Sequence, residues 1–144
     1  MISDNKMIVW TDRLSCGIMI IDEQHKELVD LINQMSSGIA VDNIQRHDYL
    51  NIVAKKIIRS VKNHFATEEK IMFVTKFPEY AEHKEEHDNF ARVVTESILD
   101  YQTGKRLSLS DFIRFFADWV LSHITSMDKK YFDFLKKPPF VKLA

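Results

Sequence analysis

The chain has 144 residues and 17.0 kDa, is 45% hydrophobic and 28% charged, and carries a formal net charge of -1 with a pI near 6.6. That is the make-up of one soluble globular domain, with room for a single sizeable core and none for a second unit. The near-neutral charge gives no support for nucleic acid or an anionic membrane as partner, no apolar run reaches the ~18 residues that span a bilayer, and the single Cys16 excludes an intrachain disulfide.

Residues 1–17 read as an irregular arm, with Ile8, Val9, Trp10 and Leu14 expected to pack across the elements that follow. The opening residues lack the apolar run of a signal peptide, and one cysteine suits a reducing compartment, so a cytoplasmic protein is expected. Glycine and proline are scarce, and Gly38, Pro78, Gly104 and Pro138-Pro139 read as punctuation between helices. They leave four amphipathic segments, at about 18–37, 42–74, 78–103 and 108–136.

The first segment repeats Ile21, His25, Leu28, Ile32 and Met35 at alternating steps of four and three, the spacing of one helix face. The second does so with Ile57, Val61, His64, Glu68 and Ile71, and the third with Tyr80, His83, His87, Phe90 and Val94. The fourth opens on a capping box, Ser108-Leu109-Ser110-Asp111, and continues through Phe112, Phe116, Trp119 and His123. Strand-like alternation of useful length is missing. The expected fold is all-α: an antiparallel up-down four-helix bundle in a single domain, 1–144, with an arm at 1–17, the bundle at about 18–136 and a short tail. Phe65, Phe73, Phe77, Phe90, Phe115, Phe116 and Trp119 are expected mostly in the core, with Met72 and Met127 as gap fillers.

What carries the chemistry is that polar residues interrupt the apolar stripes instead of lying opposite them. Positions four apart on a helix lie one above the other, so His64 with Glu68, and His83 with His87, each aim at one point. His25 and His123 enter from the first and fourth segments. Asp128 stands five residues after His123, about 140° further round a regular helix, and must reach in sideways. Five neutral imidazoles and two acids in an apolar interior are costly without a cation between them. Seven ligands exceed one tetrahedral site and suggest two metal ions; the mixed imidazole–carboxylate set suits iron, manganese or zinc rather than calcium or magnesium. Since carboxylates can span two ions and an imidazole binds one, five histidines make the ions unequal, three against two. His47 lies far along its helix and is given no metal role. Glu69, beside Glu68, is expected at the solvent or the bundle edge, the alternative being support of a ligand from behind.

The stretches Gly17 to His25, His64-Phe65-Ala66-Thr67-Glu68-Glu69, His83-Lys84-Glu85-Glu86-His87 and His123 to Asp128 resemble the hemerythrin family, over about residues 8 to 135. The resemblance implies a non-haem, oxo- or hydroxo-bridged pair of iron ions that binds dioxygen reversibly, for storage, delivery or scavenging, with no enzymatic turnover. By position, His83, His87 and His123 look like ligands of the saturated iron and His25 and His64 of the iron with the open position, with Glu68 and Asp128 bridging. Ile21, Phe65, Trp119, Val120 and Leu121 are the expected walls of an oxygen pocket. Cys16 and Val120 depart from the family, which often has a small aliphatic residue and commonly a leucine there. The alternatives are an oxygen or redox sensor working through a separate partner, for which the tail 137–144 offers a docking segment, and a di-iron enzyme reducing nitric oxide or peroxide.

Overall fold

The computed structural model describes residues 7–40, 46–104 and 109–136. After a single 3-10 turn at Asp12–Leu14 come helices α1 (Met19–Ala40), α2 (Arg46–Val74), α3 (Tyr80–Gln102), α4 (Leu109–Thr125) and α5 (Met127–Leu135). They form the expected antiparallel four-helix bundle, in which α1 packs against α2 and α4, and α2 against α3. The fourth member is two helices. Ser126 leaves the helical region (φ -120, ψ -72), so the segment read as one helix over 108–136 is broken just before Asp128. The Ser108 cap, the double proline and the tail lie outside the described residues, as does the side chain of His47.

Gly38 does not end α1. It lies within the helix, and a Cβ there would come within 2.7–2.9 Å of the side chains of Tyr49 and Leu50. The missing side chain therefore lets α2 close on α1, a packing role where a stop signal was expected. The turn between α2 and α3 does contain Pro78, preceded by Lys76 in the left-handed region (φ 57).

The arm packs as expected through Ile8 and Leu14, both buried, with Trp10 partly so. Asn33 on α1 holds it by the main chain: Oδ1 accepts from the amides of Met7 and Ile8, and Nδ2 donates to the Ile8 carbonyl at 2.8 Å. Val9 instead points out and is 61% exposed, because consecutive residues of an extended arm face opposite ways. Phe73 and Phe115 are also exposed, each one step, or about 100°, round the helix from a fully buried neighbour, Met72 and Phe116.

The interior falls into two apolar clusters. The larger is built on Leu28, Ile32, Leu50, Ile57, Val61, Phe65, Phe90, Phe112, Phe116 and Val120. The smaller comprises Cys16, Ile21, Met72, Phe77, Tyr131 and Phe132. Along α1, His25 stands between Ile21 of one and Leu28 of the other; along α2, His64 and Glu68 stand between Val61 and Met72. A polar layer separates the clusters.

Candidate metal centre

That layer contains all seven predicted residues. His25, His64, Glu68, His83, His87, His123 and Asp128 are each at most 3% exposed. Their ligand atoms form two groups: Glu68, His83, His87, His123 and Asp128 in one, and His25, His64, Glu68 and Asp128 in the other. Both acids belong to both groups. Asp128 turns Oδ1 to His83 Nε2 at 2.9 Å and His123 Nε2 at 3.0 Å, and Oδ2 to His25 Nε2 at 3.3 Å. Glu68 Oε1 lies 2.7 Å from His64 Nε2 and 3.8 Å from His25 Nε2. The break at Ser126 is what delivers Asp128: it starts α5 afresh, so a residue five steps beyond His123 points at the same place.

The residues fit a metal pair. Both oxygens of Glu68 and of Asp128, and Nε2 of His25 and His64, are buried without a hydrogen-bond partner although they crowd together. Each such atom costs about 1–3 kcal/mol if it stays unsatisfied. The Nε2 atoms of His83 and His87 lie 3.1 and 2.9 Å from that of His123. Neighbouring ligands on an octahedron with bonds of ~2.1 Å are ~3.0 Å apart, so these atoms have the spacing that ligands of one ion would have.

The outer ring nitrogens fix the tautomers. Thr67 Oγ1 donates to the Asn63 carbonyl at 2.9 Å and accepts from Gln24 Nε2 at 3.1 Å. This orients Gln24 Oε1 toward His64 Nδ1, 2.8 Å away, so the proton sits on Nδ1 and Nε2 offers its lone pair inward. Glu69 Oε2 does the same for His87 Nδ1 at 2.9 Å. Glu69 is thus 18% exposed and turned inward, in the ligand-supporting role that was the alternative to the bundle edge, and Gln24 plays the matching part for His64. Their signal in the sequence is adjacency: Gln24 precedes His25 and Glu69 follows Glu68, so each borders one ligand and reaches across to another helix.

The electrostatics agree with a site built for a cation. Burial works against a charge on His25, but the carboxylates of Asp128 and Glu68 outweigh it and raise the imidazole to about 9. Burial likewise opposes a charge on His123, and Asp128 reverses it to a net rise. Burial dominates at His87, where His123 and His83 add repulsion and Asp128 offsets too little of it, so the imidazole is driven far down. Asp128 is held well below the carboxylate range: burial pushes it up, and His123, His25 and His83 more than cancel that. Cys16 is sealed in the small cluster, its thiol pushed up to about 12 chiefly by burial, which leaves it inert as a nucleophile.

Aromatic rings cover the three-histidine side. Phe65 lies flat on His87 (centroids 3.8 Å, 1°), and Trp119 on His123 (4.4 Å, 12°). Of the other expected pocket walls, Val120 and Leu121 pack in or against the larger cluster and Ile21 in the smaller.

The sequence profile of the hemerythrin HHE cation binding domain matches residues 16–135. The chain belongs to the hemerythrin family. Among its relatives, the bacteriohemerythrin of Stenotrophomonas maltophilia (strain R551-3) is 31% identical over 131 residues, covering 90% of this chain and 82% of that one. The bacteriohemerythrin of Methylococcus capsulatus (strain ATCC 33009 / NCIMB 11132 / Bath) is 28% identical over 126 residues, covering 87% and 94%. A wild-type hemerythrin crystal structure superposes with a TM-score of 0.83 at 27% identity, covering 91% of this chain and 99% of that one. Family and cluster together make this a metal-binding bundle. Among the described residues, no helix is long and apolar enough to cross a membrane.

Proposed function

We propose that the chain binds dioxygen reversibly at a non-haem di-iron centre and acts as a carrier, store or scavenger, not as an enzyme. In this reading His83, His87 and His123 hold one iron, His25 and His64 the other, and Glu68 and Asp128 span both. The observation that carries it is the inequality of the two ligand groups, three imidazoles against two around the same pair of carboxylates. The imidazole-rich set supports iron, and the poorer position is the one left with room for a small ligand.

When bound, an iron pair supplies the electrons that dioxygen takes up and gives back. The protein's own residues do the rest. Gln24 and Glu69 hold two imidazoles in the tautomer that donates inward. Phe65 and Trp119 shield ring faces, and Ile21, Val120 and Leu121 are the remaining candidates for keeping water, and so protons, away from dioxygen while it is held. The absence of any Glu-x-x-His from the sequence favours carriage over oxidation, because the carboxylate-rich di-iron bundles use that motif.

The test is metal analysis with visible absorption, on protein reduced without air and cycled between oxygen and vacuum. Two irons per chain are expected, with a colour that comes with oxygen and goes with vacuum. Direct passage to a ferric form, with no reversible species, would overturn the carrier reading.

A further inference from the structure

The two ligand groups differ in more than the number of imidazoles. His87 Nδ1 donates to a carboxylate, Glu69, at 2.9 Å; His64 Nδ1 donates to a neutral amide, Gln24, at 2.8 Å. At nearly the same distance, the difference is one of charge. Lys84 does little to cancel it, since its ammonium stands 3.9 Å from Glu69 Oε1 but 2.9 Å from Asp88. A second acid, Glu86, lies 3.7 Å from His123 Nδ1, again on the three-imidazole side. On the two-imidazole side the Gln24 support ends in Thr67 and the Asn63 carbonyl, both neutral; His25 Nδ1 and, on the other side, His123 Nδ1 are both buried without a hydrogen bond, so the contrast rests on Glu69 against Gln24.

A carboxylate behind an imidazole makes the inner nitrogen a better donor, and losing such support typically weakens metal binding about 10–100-fold. The extra imidazole, the Glu69 carboxylate and the nearby Glu86 all favour the same position. We propose that the two metal positions fill in order, the three-imidazole position first, and that Glu69 is the positioning residue that sets the order by its charge. The proposal rests on the reading that these seven residues hold two metal ions. It does not depend on the metal being iron or on dioxygen.

The experiment titrates the full-length chain, stripped of metal, with cobalt(II), followed by calorimetry and by ligand-field absorption. Wild type should give two resolved steps of one ion each. Glu69→Gln keeps an oxygen for the Nδ1 proton and removes only the charge; it should weaken the first step about tenfold or more, leaving the second within about twofold, so that the steps converge. Gln24→Glu, the reciprocal change, should strengthen the second step. Unchanged helicity by circular dichroism verifies that both variants fold. A single unresolved step in wild type, equal weakening of both steps by Glu69→Gln, or no response to Gln24→Glu would each overturn the ordered filling while leaving the two-metal reading intact. Failure to take up two cobalt ions would instead remove that reading itself.

Discussion

On one side of the ligand layer, Ile32, Leu50, Ile57 and Phe116 are fully buried among aliphatic and aromatic neighbours that require nothing else. On the other side the cluster around Ile21, Met72 and Tyr131 is much smaller and borders the polar layer directly. The first region is held by the removal of apolar surface from water, which is insensitive to metal and to pH. The second depends on its neighbours, because buried polar atoms of Glu68, Asp128, His25 and His64 at its edge have no hydrogen-bond partner. Within one short bundle, then, the fold and the site are stabilised by different forces, and each can be disturbed separately.

Phe116→Ala, deep in the large cluster, breaks that region alone. It should cost about 3–5 kcal/mol, and by the same amount with and without metal. Thermal melts of both forms check this, and a loss confined to the metal-loaded form would sink the separation. Asp128→Ala acts on the other region. It should abolish the metal-dependent gain in stability, about 2.7 kcal/mol when free metal stands a hundredfold above Kd. A variant that still melts higher on adding metal would show that Asp128 is not needed to hold it.

The two regions also differ in their response to pH. In the metal-free chain His25 is raised from 6.5 to about 9, so the folded form holds its proton more tightly than the unfolded chain does. That contribution to stability is fully present below pH 6.5 and is lost as pH rises through about 9. A metal ion must displace the same proton, so affinity should climb about tenfold per pH unit from 7 toward 9 and then level off. Chelator-competition titrations across that window would detect it, and a flat profile would contradict it.

Much of this was legible in the sequence because a helix repeats. The steps of four and three place His25, His64, Glu68, His83 and His87 on buried faces, and the structure brings them together. What periodicity does not encode is contact between helices. Gln24 meets His64 and Glu69 meets His87 only after α1, α2 and α3 have packed, so adjacency to a ligand marks the two supporting residues but does not say which imidazole each one reaches. Composition misled at Phe73 and Phe115, where helical phase rather than aromatic character decides exposure. Gly38 misled for a related reason: its small size serves a neighbour in α2, not its own backbone.

The break at Ser126 has a consequence for how this part of the chain can vary. Because α5 begins again at Met127, the register of everything after it is reset there and no longer follows from His123. A single insertion or deletion in α5 between Asp128 and Tyr131 would rotate Tyr131 and Phe132 by about 100° relative to the carboxylate. The same length change between His123 and Ser126 would be absorbed at the joint only by altering its angle. The five-residue interval from imidazole to carboxylate is therefore a hinge length, set by one non-helical residue, and not a multiple of the helical pitch.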